Sequence, residues 1–209
     1  MSITTAGQVP EMPDLACIGY VKKVGEVKLS EKGVFHVLPL EIEGRYSGKD
    51  GTFFFIFEPR WFEKSFDPKT LIEEDEAFNE EHAAEIKAGV VKRSGKNGIY
   101  RRYINDKTRP SVLQAMCDGE DGSIFAEVAA CFDALPAVTP KDVENILREY
   151  LTGREVGYVM TQRTDDDGSL MDLYNIARFF PLTQSGLKAI TEEANNPRRK
   201  KPLVVTWDE

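Results

Sequence analysis

The chain has 209 residues, 41% of them hydrophobic and 30% charged, and a formal net charge of −8. That length accommodates one domain with a real core, or one domain carrying a large insertion. The composition is that of a globular protein; no apolar run approaches the roughly 18 residues of a membrane helix, and the acidic balance excludes a protein that coats duplex DNA by bulk charge.

Residues 1–15 have no basic start and no apolar core, so a flexible arm is expected there rather than a signal peptide. Residues 16–23 predict a first strand. In 34–43, Phe35, Val37 and Ile42 are separated by polar or small residues, and Pro39 points to an edge or a bulge. Ser47-Gly48-Lys49-Asp50-Gly51 is a turn signal. The third strand, 52–57, reads Thr-Phe-Phe-Phe-Ile-Phe. Together these form a meander.

From residue 58 to residue 110 the character changes, and the segment reads as a charged α/β insertion. Residues 63–87 carry nine acidic and three basic side chains, net −6, with a helix expected over 73–88. Residues 88–110 carry seven basic and one acidic, net +6. Within them Gly95 and Asn97-Gly98 are turn formers, so 92–103 is expected to be a hairpin.

Short helices are expected over 111–118 and 123–135. Thr139-Pro140 is a helix start, because Thr caps and Pro fits the first helical position. Val143, Ile146, Leu147, Tyr150 and Leu151 then recur at helical spacing until Gly153 ends the helix. Strands over 155–163 and 170–180 flank a polar turn, Thr164-Asp165-Asp166-Asp167-Gly168-Ser169. A last helix is expected over 185–195. Residues 197–209 form a basic linker with Arg198-Arg199-Lys200-Lys201, and a short tail. The expected organisation is an arm, one domain over 16–196 with its insertion at about 58–110, and that tail.

Cys17, Cys117 and Cys131 are odd in number and contain no CxxC, which fits reduced, buried thiols in a cytosolic compartment. His36 and His82 are the only histidines, so a zinc site has no ligand set. P-loop, GxGxxG and GxSxG motifs are absent. The run Asp165-Asp166-Asp167-Gly168 lacks the alternating spacing of a calcium loop and reads as a turn. No cofactor and no catalytic residue is expected.

Three strands, an insertion, a helix and a closing hairpin form the order of an OB-fold, a β-barrel with helices. Its closing part, Leu151-Thr152-Gly153-Arg154-Glu155-Val156-Gly157-Tyr158-Val159 and Tyr174-Asn175-Ile176-Ala177-Arg178-Phe179-Phe180-Pro181, resembles the final hairpin of phage-type single-stranded-DNA-binding proteins. The likeness covers 16–57 and 139–181. It implies single-stranded DNA as ligand, with RNA as the other choice, and replication or recombination proteins as partners. The ending Val205-Thr206-Trp207-Asp208-Glu209 departs from the acidic, aromatic-tipped tail common in that family, so recruitment through a tail is not implied.

Single strands are held by a basic groove along the phosphates and by aromatic rings that stack on bases. Lys92, Arg93, Lys96, Tyr100, Arg101, Arg102 and Tyr103 offer both at one place. The competing reading is a solvated hairpin whose arginines pair with the acidic block before it. On the barrel the candidates are Lys22, Arg45, Tyr46, Phe53, Phe55, Tyr158, Arg163, Tyr174 and Arg178. Alternate phenylalanines of 53–57 must face opposite ways, one set filling the core. A protein-interaction module and a metal-dependent nuclease are the rival functions.

Overall fold

In the computed structural model the described residues are 16–45, 49–117, 123–164 and 170–194. The chain runs through β1 (Ala16–Val24), the two-residue β2 (Lys28–Leu29), β3 (His36–Arg45) and β4 (Gly51–Phe57). A 3-10 turn at Pro59–Phe62 leads to α1 (Lys69–Glu81), α2 (Ala83–Lys87), α3 (Lys96–Tyr103), α4 (Val112–Cys117), α5 (Ser123–Asp133) and α6 (Pro140–Leu151). Then come β5 (Glu155–Thr164), β6 (Leu170–Phe180) and α7 (Gln184–Ala194). No helix among the described residues is long and apolar enough to cross a membrane.

The six strands make one antiparallel sheet. Its long strands lie in the order β4-β3-β1-β5-β6, and β2 extends the β1 side of β3. The expected barrel is not closed. The outer strands β4 and β6 come close enough for Phe53 and Phe179 to meet edge to face at 4.8 Å, yet no ladder joins them. Helices occupy the inner face instead: Tyr103 of α3 packs its ring on Phe53 and Phe55 at 6.0 and 5.7 Å. The architecture is a mixed α/β protein built on an open sheet.

Side-chain alternation sorts each strand into two faces. Val21, Leu38, Leu40, Ile42, Phe53, Phe55, Phe57, Val156, Tyr158 and Met160 point inward and join one buried cluster with residues of α1 and α3 to α6. Gly19 sits where a Cβ would meet the Glu43 carbonyl at 2.5 Å and the Tyr158 ring at 3.1 Å, so only glycine leaves room for both. The opposite face is covered over β5 and β6 by α7, whose Leu187 and Ala189 pack on Val159 and Phe180.

Helix α6 begins as its sequence predicts, with a reciprocal cap: the Asp142 N–H donates to Thr139 Oγ1 at 3.2 Å and the Thr139 N–H to Asp142 Oδ2 at 2.9 Å. It ends at Gly153, which adopts φ +78°. The Gly153 N–H then donates to the Val21 carbonyl at 2.7 Å, tying the helix end to β1. Glu144, 1% exposed, accepts from the Val27 N–H at 2.9 Å and from Lys141 and Arg148 at 2.5 and 2.6 Å.

Two expectations fail in the segment after β4. Residues 58–110 hold helices and a 3-10 turn but no strand, so the segment is not α/β. Residues 96–103 form α3 rather than the arm of a hairpin. Ile99, Tyr100, Tyr103 and Ile104 recur at helical spacing and face the core, and that burial outweighs the turn preference of Asn97-Gly98.

Candidate nucleic-acid interface

Tyr20 and Lys22 of β1, Pro39, Glu41, Glu43 and Arg45 of β3, and Thr52, Phe54 and Ile56 of β4 all point away from the core. Toward β5 this outer face disappears under α7, where Ile18 is buried at 6% exposure. Among the described residues no helix covers the remainder, and Phe54 is 51% exposed on it. Phe54 pairs across the ladder with Pro39, and Tyr20 with Glu43. From pair spacing alone the two rings stand roughly 17 Å apart, diagonally across β3.

The charges on this face are arranged in contact. Lys22 Nζ lies 3.1 Å from Glu43, Lys23 Nζ 3.5 Å from Glu41, and Arg45 Nη1 3.2 Å from Glu155. The Tyr20 hydroxyl donates to Glu43, which holds the phenol above its ordinary range. Tyr20 and Lys22 in turn hold the Glu43 carboxyl below its own. The Arg45 guanidinium lies 4.6 Å above the Tyr20 ring centre. Cations, a ring and carboxylates thus form one connected surface.

The basic segment 92–103 is arranged differently. Tyr100 and Tyr103 are 6% and 5% exposed and belong to the core, so neither ring is offered to a base. Lys96 Nζ is engaged by Glu74 at 3.2 Å and Glu58 at 3.8 Å. Asp75 holds the start of α3 by accepting from Ser94 Oγ, the Lys96 N–H and the Asn97 N–H at 2.6, 2.9 and 3.0 Å. Arg60 binds Glu74 with both guanidinium arms at 2.6 and 2.7 Å, which lowers the Glu74 carboxyl to about 2. The acidic block thus engages Arg60, Lys96 and the start of α3; the competing reading has arginines of a hairpin paired with that block, whereas Arg101 and Arg102 have other neighbours. Lys92, Arg93, Arg101 and Arg102 remain at the surface. Arg101 lies 3.7 Å from Asp106 and Arg102 lies over the Tyr103 ring at 5.3 Å. Because α3 backs the inner side of β4, a ligand touching both Arg102 and Phe54 would have to cross the free edge of β4.

Of the barrel candidates, Lys22 and Arg45 are on the open face. Phe53, Phe55 and Tyr158 are in the core, with Tyr158 donating its hydroxyl to the Lys49 carbonyl at 2.9 Å. Burial pushes that phenol well above its ordinary range. Arg178 lies over the Phe180 ring at 4.8 Å, beside α7. Tyr46 lies outside the described residues, as do the side chains of Arg163 and Tyr174. Sequence reasoning missed Phe54 and Tyr20. The signal for Phe54 was parity: in β4 the core set is 53, 55 and 57, which leaves Phe54 as the outward ring.

A groove of about 500 Å³ between α1 and residues 93–97 is lined by Ile72, Glu76, Asn79, Glu80 and Arg93, a charge balance that does not suit phosphate. Among the described residues no group of three or more His, Cys, Asp or Glu side chains converges for a metal ion. No protein-family model matches the chain, and no curated protein matches it.

Proposed function

We propose that this chain binds single-stranded nucleic acid, DNA in the first instance, without strong sequence preference, on the open outer face of β1, β3 and β4. The observation that carries the reading is Phe54, a half-exposed ring on the one stretch of outer face that no described helix covers, among Tyr20, Lys22 and Arg45. A ring in that setting stacks on any base, and the flanking cations meet the phosphates. The strand order β4-β3-β1-β5-β6, with helices between the third and fourth long strands, supports an opened OB-type sheet. In that fold the face of the second and third long strands contacts oligonucleotides; here those strands are β3 and β4. Replication or recombination is the setting in which such binding is useful.

The test is a titration of fluorescein-labelled oligo-dT and matched duplex at two salt concentrations, with and without magnesium. Saturable oligo-dT binding that weakens with salt, tighter than duplex and leaving the strand intact, is the expected result. No binding at low salt favours a protein-interaction module, and magnesium-dependent strand loss favours a nuclease.

A further inference from the structure

The cations of the open face do not wait unpaired for phosphate. Lys22 is held by Glu43, Lys23 by Glu41 and Arg45 by Glu155. Three positive and three negative side chains sum to zero on a surface whose proposed ligand is a polyanion. Glu43 also accepts from the Tyr20 hydroxyl, and Arg45 covers one side of the Tyr20 ring. The carboxylates therefore restrain both devices at once, the charge and the ring.

Resting on the single-strand reading above, we propose that Glu43 and Glu155 are specificity-determining residues: tethered competitors for Lys22 and Arg45 that make base stacking a condition of tight binding. A phosphate that takes over Lys22 or Arg45 displaces a carboxylate that stays attached to the protein nearby. The local charge balance then opposes the ligand, and the electrostatic gain is small. A duplex or any other base-hidden polyanion has only that gain to offer. A single strand adds stacking on Phe54, a ring that no carboxylate restrains. The neutral face discriminates against bulk negative charge, and the exposed Phe54 ring admits unpaired bases.

The experiment compares the wild-type chain with Glu43→Gln/Glu155→Gln, using oligo-dT, matched duplex and inorganic polyphosphate as probes at about 50 and 200 mM salt. Glutamine keeps the size and the acceptor oxygen while removing the charge. Glu43→Gln alone serves as a second variant, and thermal melts establish that each is folded. The double variant is expected to bind polyphosphate and duplex about tenfold tighter, to gain less on oligo-dT, and so to lose selectivity. Its salt slope should steepen by roughly 1.4 on the single strand and roughly 1.8 on the duplex, the value of two freed cations. An unchanged ratio of oligo-dT to duplex affinity, with wild type still binding oligo-dT, overturns this inference alone. Absence of oligo-dT binding by the wild type overturns the parent reading and the inference with it.

Discussion

Phe54 and Phe55 are neighbours in sequence with opposite fates, and substitution should separate them. Phe55 is fully buried, so Phe55→Ala is expected to cost about 3–5 kcal/mol of stability in a denaturant melt. Phe54→Ala should change stability by less than about 0.5 kcal/mol. It should instead weaken oligo-dT binding by about 1–3 kcal/mol, roughly 5- to 150-fold. A Phe54→Ala variant that binds normally would take the ring out of the site. Tyr100→Ala/Tyr103→Ala belongs with Phe55: both rings are core, so the expected result is lost stability rather than a clean loss of affinity. Glu144 gives a pH signature. Burial raises its carboxyl, but Lys141, the Val27 N–H and Arg148 outweigh burial and bring it from an ordinary 4.5 to about 2. A lowered carboxyl contributes stability that is complete above pH 4.5 and is lost as pH falls toward 2. Acid unfolding of Glu144→Gln should accordingly be shallower over that window, from a starting stability lower by about 1–3 kcal/mol. Equal acid slopes in the two proteins would contradict the assignment.

At the scale of elements, helix α1 holds the backbone at the start of α3 through Asp75. Gly95, which precedes α3, has no side chain to cap it, and Asp75 supplies the cap from another helix. Asp75→Ala is expected to destabilise the protein by about 1–2 kcal/mol and to raise hydrogen exchange in 96–103, with α6 unaffected. Slow exchange persisting in α3 would show that core burial of Tyr100 and Tyr103 suffices. Elements whose signals are local were legible in the sequence. Helix α6 carries its own cap, its own periodicity and its own glycine stop, and β1, β3 and β4 alternate with clear turns between them. Helix α3 was not, because its local signals conflict. Gly95 and Asn97-Gly98 favour a turn, and the helix forms through contacts with α1 and β4 that are distant in sequence. The open edge between β4 and β6 was equally hidden, since strand order does not say whether a sheet closes when helices fill its inner face. For the candidate site, the alternation of 53–57 was readable, but which set faces the core depends on the register with β3. That register places Phe53 opposite Leu40 and Phe55 opposite Leu38, and so turns Phe54 outward.

Across the whole molecule, the net charge of −8 and the binding of a polyanion are compatible because charge is sorted by location. The acidic side chains of 63–87 include Glu74 and Asp75, which are occupied with Arg60, Lys96 and the start of α3, while the open face of the sheet is locally neutral. Removing charge from exposed Glu73, Glu76 and Glu80 together should therefore raise oligo-dT affinity only through the general field, an effect that disappears by about 0.2 M salt, where the Debye length is below roughly 10 Å. An increase that persists at that salt would mean that α1 itself competes for the ligand. Photocrosslinking of bromouracil-substituted single-stranded DNA, followed by identification of the modified peptide, locates the ligand on the protein. Crosslinks are expected at Phe54 in β4 and Tyr20 in β1. Crosslinks confined to 96–103, or none under conditions of saturated binding, would contradict that location.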